Sequence, residues 1–174
     1  AIGMVKNGQL YRLGETASAS FEVVEQTPLR ATFQMIFGGW EVEGKSYDVK
    51  ETITISAGQR HYESEIELIH GSGSDTLVTG IVNLFDSDAQ QLQMEETQVL
   101  FTHGKQSDNK DMLGMAILVE SNYFGGVGQA ADFESEVTDS ELVFLQPKDG
   151  KYRYRFYVGW ELEGEQFRTV EGFQ

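Results

Sequence analysis

The sequence predicts an all-β fold, an antiparallel sandwich or barrel of roughly ten strands. Three observations carry this. Apolar and polar residues alternate with period two over long stretches, as in Phe33, Met35 and Phe37 against Thr32, Gln34 and Ile36. Glycine turns such as Asn7-Gly8, Glu43-Gly44 and Asp149-Gly150 separate these stretches. No segment carries a helical 3.6-residue period. Aromatic residues make up 11% of the 174 residues, a composition that favours strands.

Taken in order, Gln9 to Leu13 is a short strand after the Asn7-Gly8 turn, and Ser20 to Gln26 is a second, stopped by Thr27-Pro28. The third runs from Leu29 to Glu43 and is broken by Gly38-Gly39, which marks a bulge or a close backbone approach. The fourth, Tyr47 to Ser56, puts Tyr47, Val49, Glu51, Ile53 and Ile55 on one face. Glu51 is the odd member there, an acid on an apolar face. In the fifth, Tyr62, Ser64, Ile66 and Leu68 face away from His61, Glu63, Glu65 and Glu67. His70 to Asp75 reads as a loop and Thr76 to Phe85 as a strand. Asp86 to Glu96 reads as a polar loop or short helical turn. Gln98 to His103 and Met112 to Val119 are strands around the turn-rich 104–111 segment. Tyr123 to Gly128 reads as a flexible glycine loop. Glu141 to Gln146 and Lys151 to Glu163 are the last strands, and the tail from Glu165 starts a short helix. In the final strand Tyr152, Tyr154, Phe156, Val158 and Trp160 alternate with Arg153, Arg155 and Tyr157.

The net charge of −15 opposes binding to phosphate backbones and to anionic bilayers, which excludes nucleic acid and membrane as expected partners. There is no cysteine, so disulfides, thiolate metal sites and cysteine nucleophiles are ruled out. The first residues lack the basic and apolar segments of a leader, and the chain starts at alanine. It reads as one domain, 1–174, trimmed or cut from a longer protein.

The phrase Gly39-Trp40-Glu41-Val42-Glu43-Gly44 recurs as Gly159-Trp160-Glu161-Leu162-Glu163-Gly164. It is either reuse of a good strand-bulge-turn phrase or a sign of corresponding strands with both indoles at one rim. Tyr11-Arg12-Leu13-Gly14, Pro28-Leu29-Arg30-Ala31, Gly39-Trp40, Ile55-Ser56-Ala57-Gly58, Leu113-Gly114-Met115-Ala116 and Tyr157-Val158-Gly159-Trp160-Glu161, in that order, resemble the bacterial family known as Domain of Unknown Function 4861. The resemblance covers most of the chain, as the C-terminal part of a longer member. It implies an antiparallel, galactose-mutarotase-like β super-sandwich. It also implies a role near polysaccharide breakdown, since members are often encoded beside polysaccharide-degrading enzymes. The working place it implies is periplasmic or secreted.

Three function classes follow. One is a lyase or hydrolase on uronate-containing glycans, with Glu51, His61 and Tyr157 as catalytic candidates on a concave sheet. A histidine or tyrosine suits proton abstraction beside a uronate carboxylate, and a carboxyl on an apolar face is suited to acid catalysis. Arg153 and Arg155 would neutralise carboxylates, and Trp40 and Trp160 would stack on sugar rings. The second is a non-catalytic sugar-binding module using the same aromatics, and the third a structural sandwich of a larger enzyme. The same residues have plainer readings: His61 on a solvated strand face, Glu51 paired with Arg153 or Arg155, the tryptophans in the core. The partner expected is an oligo- or polysaccharide, with no cofactor. For calcium, Asp86-Ser87-Asp88 and Asp108 to Asp111 offer oxygen ligands but lack the glycine and closing glutamate of the twelve-residue loop. No metal site is assigned, and the oligomeric state is left open.

Overall fold

The computed structural model of the chain describes residues 2–71, 74–85 and 87–174. Ser72 and Gly73 of the expected loop, and Asp86 of the calcium candidate, lie outside the described residues. The strands are β1 (Ile2–Lys6), β2 (Gln9–Arg12), β3 (Ser18–Gln26), β4 (Arg30–Val42), β5 (Lys45–Ser56), β6 (His61–Ile69) and β7 (Thr76–Val82). They continue as β8 (Ala89–Met94), β9 (Thr97–Gly104), β10 (Leu113–Glu120), β11 (Phe124–Gln129), β12 (Ser140–Leu145) and β13 (Lys151–Trp160). Two short helical turns and α1 (Val170–Phe173) complete the described elements.

The strands form two antiparallel sheets. The smaller has the order β11-β12-β7-β1-β2, and the larger β3-β4-β5-β6-β13-β10-β9-β8. Positive φ at Asn7 and Gly8, at Glu43 and Gly44, and at Asp149 and Gly150 gives the left-handed turns that match strand twist in two-residue hairpins. The core lies between the sheets. Trp40, Tyr47, Val49, Ile66, Ile117 and Tyr152 from the large sheet meet Met4, Leu77, Ile81 and Leu145 from the small one. Each fully buried aliphatic or aromatic side chain of this set contributes about 1.5–3 kcal/mol. The large sheet has three more strands than the small one, and β3, at its edge, is nearly all exposed. Phe21 there is 62% exposed, with its ring 5.3 Å from Phe33.

Two sequence expectations need correction. Ala89–Met94 is a strand, not a loop or helical turn; Gln91 and Gln93 are exposed, Gln90 shares the half-buried phase with Leu92, and only Leu92 packs onto an apolar cluster, so alternation is weak. Phe124–Gln129 is a strand, not a flexible loop. Its glycines serve a bulge between Phe124 and Gly126 and close passage of the Phe144 ring. β1, to which the sequence reading assigns no element, pairs on both sides, with β2 and β7.

The two tryptophan phrases do not meet. β4 and β13 are separated by β5 and β6. Trp40 is level with Tyr47, whereas Tyr157 is level with His61 at the opposite end of the sheet, with Trp160 beyond it. Their glycines also differ in purpose. Gly39 sits at φ +72° in the bulge, where its N–H donates to Asp48 Oδ1 at 2.9 Å. Gly159 leaves room for Phe167, whose ring would lie 2.5 Å from an added Cβ.

Candidate functional site

Register decides which side chains can act together. Met35, Glu51, Ile66 and Tyr152 are cross-strand neighbours in one row, and Phe33, Ile53, Ser64 and Tyr154 in the next. These rows face the small sheet or the apolar margin beside it. Rows one residue out of phase face the other way: Thr32, Thr54, Glu63, Arg155 and Leu118, then Gln34, Thr52, Glu65 and Arg153. The outer face is therefore a ladder of hydroxyls, carboxylates and guanidinium groups. Strands about 4.8 Å apart put Thr32 and Arg155 about 14 Å from each other.

A groove of about 390 Å³ lies along these rows, lined by Arg30, Thr32, Thr54, Glu63, Arg153 and Arg155 among others. Arg153 is committed, because its Nε donates to Glu65 Oε2 at 2.8 Å and its Nη2 makes a second bond to the same oxygen. Lys151 reaches the other oxygen of Glu65. Burial alone would raise the Glu65 pKa, but the hydrogen bonds from Lys151 and Arg153 outweigh it and hold the carboxyl below its ordinary value. Arg155 stands opposite Glu63 in register but is in none of the ion pairs formed among the described residues. Thr32 and Thr54 hydroxyls lie 3.3 Å apart.

At one end this face is roofed by the C-terminal segment. Phe167 and Phe173 pack on Phe101, Ala116 and Tyr157, and Gly114 and Gly159 supply the space. His103 is spent here, with Nε2 donating to the Phe167 carbonyl at 2.8 Å. His61 and Tyr157 are directly opposed on β6 and β13, both half-buried, and the Tyr157 ring lies 5.6 Å from Phe173.

Four of the seven residues singled out in the sequence thus share a face: His61, Arg153, Arg155 and Tyr157. Glu51 does not join them, and this corrects both its pairing with an arginine and its place beside His61. It points to the other side of the sheet at 6% exposure, accepting from Ser64 Oγ at 2.7 Å and from the Tyr154 hydroxyl at 3.5 Å. Burial raises its pKa, with the Ser64 hydrogen bond opposing. Burial likewise raises Tyr154 and Tyr62, and the Glu51 carboxylate adds to both. Trp40 is a core residue, 2% exposed and 6.3 Å from the Tyr47 ring. Trp160 is half-buried at the far end of β13, facing a separate cleft. The threonines, Glu63 and Glu65 were the groove residues not singled out in the sequence; their signal was the polar phase of the alternation in β4, β5 and β6. Among the described residues no three of His, Asp and Glu gather as a metal site.

Two unequal antiparallel sheets, the larger with a polar outer face, define an antiparallel β-sandwich. The chain belongs to the family described as Domain of unknown function (DUF4861), whose model matches residues 1–174. No curated protein sequence matches it. Among solved structures it is similar to an α-N-acetylgalactosaminidase, NagBb, from Bifidobacterium bifidum. A quadruple mutant of that enzyme aligns with a TM-score of 0.52 at 11% identity, over 91% of this chain and 30% of NagBb. The GalNAc complex of NagBb aligns over the same shares at 10% identity, with a TM-score of 0.45. The chain therefore spans under a third of the length of that enzyme, and the likeness is one of fold.

Proposed function

We propose that this sandwich is the glycan-binding part of a carbohydrate-active protein and that its ligand is an acidic, uronate-containing oligosaccharide lying along the outer face of the large sheet. The observation that carries the reading is the contrast between two neighbouring arginines. Arg153 is neutralised by Glu65, while Arg155 has a free fork in an open groove. A guanidinium fork matches a carboxylate in geometry and charge. The flanking Thr32, Thr52 and Thr54 hydroxyls both donate and accept, as sugar hydroxyls require. A net charge of −15 repels polyanions at long range, so the local cation decides binding. Such a ligand belongs to a periplasmic or secreted setting.

A catalytic reading has one observation in its favour. His61 and Tyr157 are cross-strand neighbours on the same face as Arg155, and either is suited to take a proton beside a uronate carboxylate. In that reading Glu51 has no part, being on the opposite face.

Calorimetry with an oligogalacturonide and its methyl-esterified counterpart tests the proposal. The acidic ligand binds and the ester binds far more weakly; Arg155→Ala weakens the acidic ligand by roughly 10- to 100-fold, the worth of a charge-assisted hydrogen bond. Equal binding of both ligands, or no effect of Arg155→Ala, contradicts it. Release of unsaturated products, followed by absorbance and lost in Tyr157→Phe, would establish the lyase reading.

A further inference from the structure

We propose that the cleft at the far end of β13 is a second saccharide site, for a neutral pyranose with a vicinal diol. The cleft, of about 520 Å³, is lined by Gln59, Arg60, Ser107, Leu113, Val158, Trp160 and Glu163. It opens at the strand ends and is distinct from the groove around Arg155, with which it shares no lining residue.

Its composition is that of a sugar site. Trp160, Leu113 and Val158 give an apolar wall, and an indole face suits the C–H face of a pyranose ring. Arg60 and Glu163 line the same cleft, with Nε and Oε2 3.6 Å apart. A guanidinium that only donates beside a carboxylate that only accepts reads two adjacent hydroxyls, one accepting and one donating. The Arg60 guanidinium also lies over the Phe167 ring, 4.9 Å from its centre. Gln59 and Ser107 add further donors and acceptors at the rim.

The second observation is the indole N–H. Trp160 Nε1 is buried and has no hydrogen-bond acceptor among the described residues. An unsatisfied buried donor is costly. No hydrogen bond from the described residues anchors the ring, so its orientation rests on packing. The contrast is Trp40, sealed in the core with Tyr47 against it. The wall offers no extra cation for a carboxylate beyond Arg60, which Glu163 already neutralises, and this selects a neutral sugar.

The test uses galactotriose as the neutral probe and an oligogalacturonide as the acidic one, by calorimetry and tryptophan fluorescence. Galactotriose binds the natural chain and changes the Trp160 emission. Trp160→Phe and Glu163→Gln each weaken it at least tenfold while binding of the oligogalacturonide is unchanged. Glu163 is exposed in a turn, so its variant keeps the fold. Arg155→Ala has the converse effect, which separates failure of this site from failure of the acidic groove. No galactotriose binding at millimolar concentration, or equal affinity in the Trp160→Phe and Glu163→Gln variants, overturns the proposal.

Discussion

Replacing Glu51 by glutamine separates a buried structural acid from a solvent-facing catalytic one. The native carboxyl accepts Ser64 Oγ at 2.7 Å and the Tyr154 hydroxyl at 3.5 Å, and is otherwise enclosed by the sandwich. Burial raises its pKa above the ordinary value of 4.5. In that window the native state holds a proton that the unfolded state has released. The stabilisation is therefore fully present below pH 4.5 and is lost as pH rises through the folded-state value. One proton of difference gives a slope of at most about 1.4 kcal/mol per pH unit. Glutamine keeps an acceptor for Ser64 and carries no charge. Urea unfolding of both proteins from pH 4 to 8 should therefore show the advantage of Glu51→Gln growing with pH and then levelling off. The many other carboxylates cancel in the difference. An advantage that is flat with pH, or that shrinks as pH rises, would refute the burial argument.

Other outcomes follow from the same geometry. Gly159→Ala drives a Cβ to 2.5 Å from the Phe167 ring, so the C-terminal segment must shift. It should cost about 1–3 kcal/mol, the usual penalty of overpacking, and speed amide exchange at Phe167 and Phe173. Gly39→Ala places a Cβ 2.8 Å from that of Ala17 at φ +72°. A loss of about 1–3 kcal/mol by thermal melting is expected. Glu65→Gln frees Arg153 and Lys151; because the pair is partly exposed, stability falls by about 1 kcal/mol or less, and less still in high salt. The Glu65 contribution is present above the ordinary carboxylate pKa and is lost as pH falls through the lowered folded value.

The large sheet was legible because β4, β5, β6 and β13 alternate cleanly and are joined, where consecutive, by short glycine turns. The small sheet was harder to read. β1 and β11 contain glycines that exist for neighbours distant in sequence, such as Gly3 beside the Val78 side chain. Nothing in a local window reports such a contact. The polar face of β13 was equally visible, and Arg153, Arg155 and Tyr157 share it as the alternation requires. The position of Glu51 shows where alternation stops being informative. Period two assigns a face within one strand, but which face of β5 continues which face of β13 depends on register. Glu51 aligns with Ile66 and Tyr152, not with Arg153. The repeated glycine-tryptophan phrase misled for a related reason: the same letters serve a bulge at Gly39 and a packing notch at Gly159.

The most direct measurement is titration of the natural chain and Arg155→Ala with an oligogalacturonide at low and moderate salt. Binding that weakens with salt and is reduced at least tenfold in the variant is the expected result. Undiminished binding by Arg155→Ala, together with loss in Arg153→Ala, would contradict the assignment of the free guanidinium and the groove built around it.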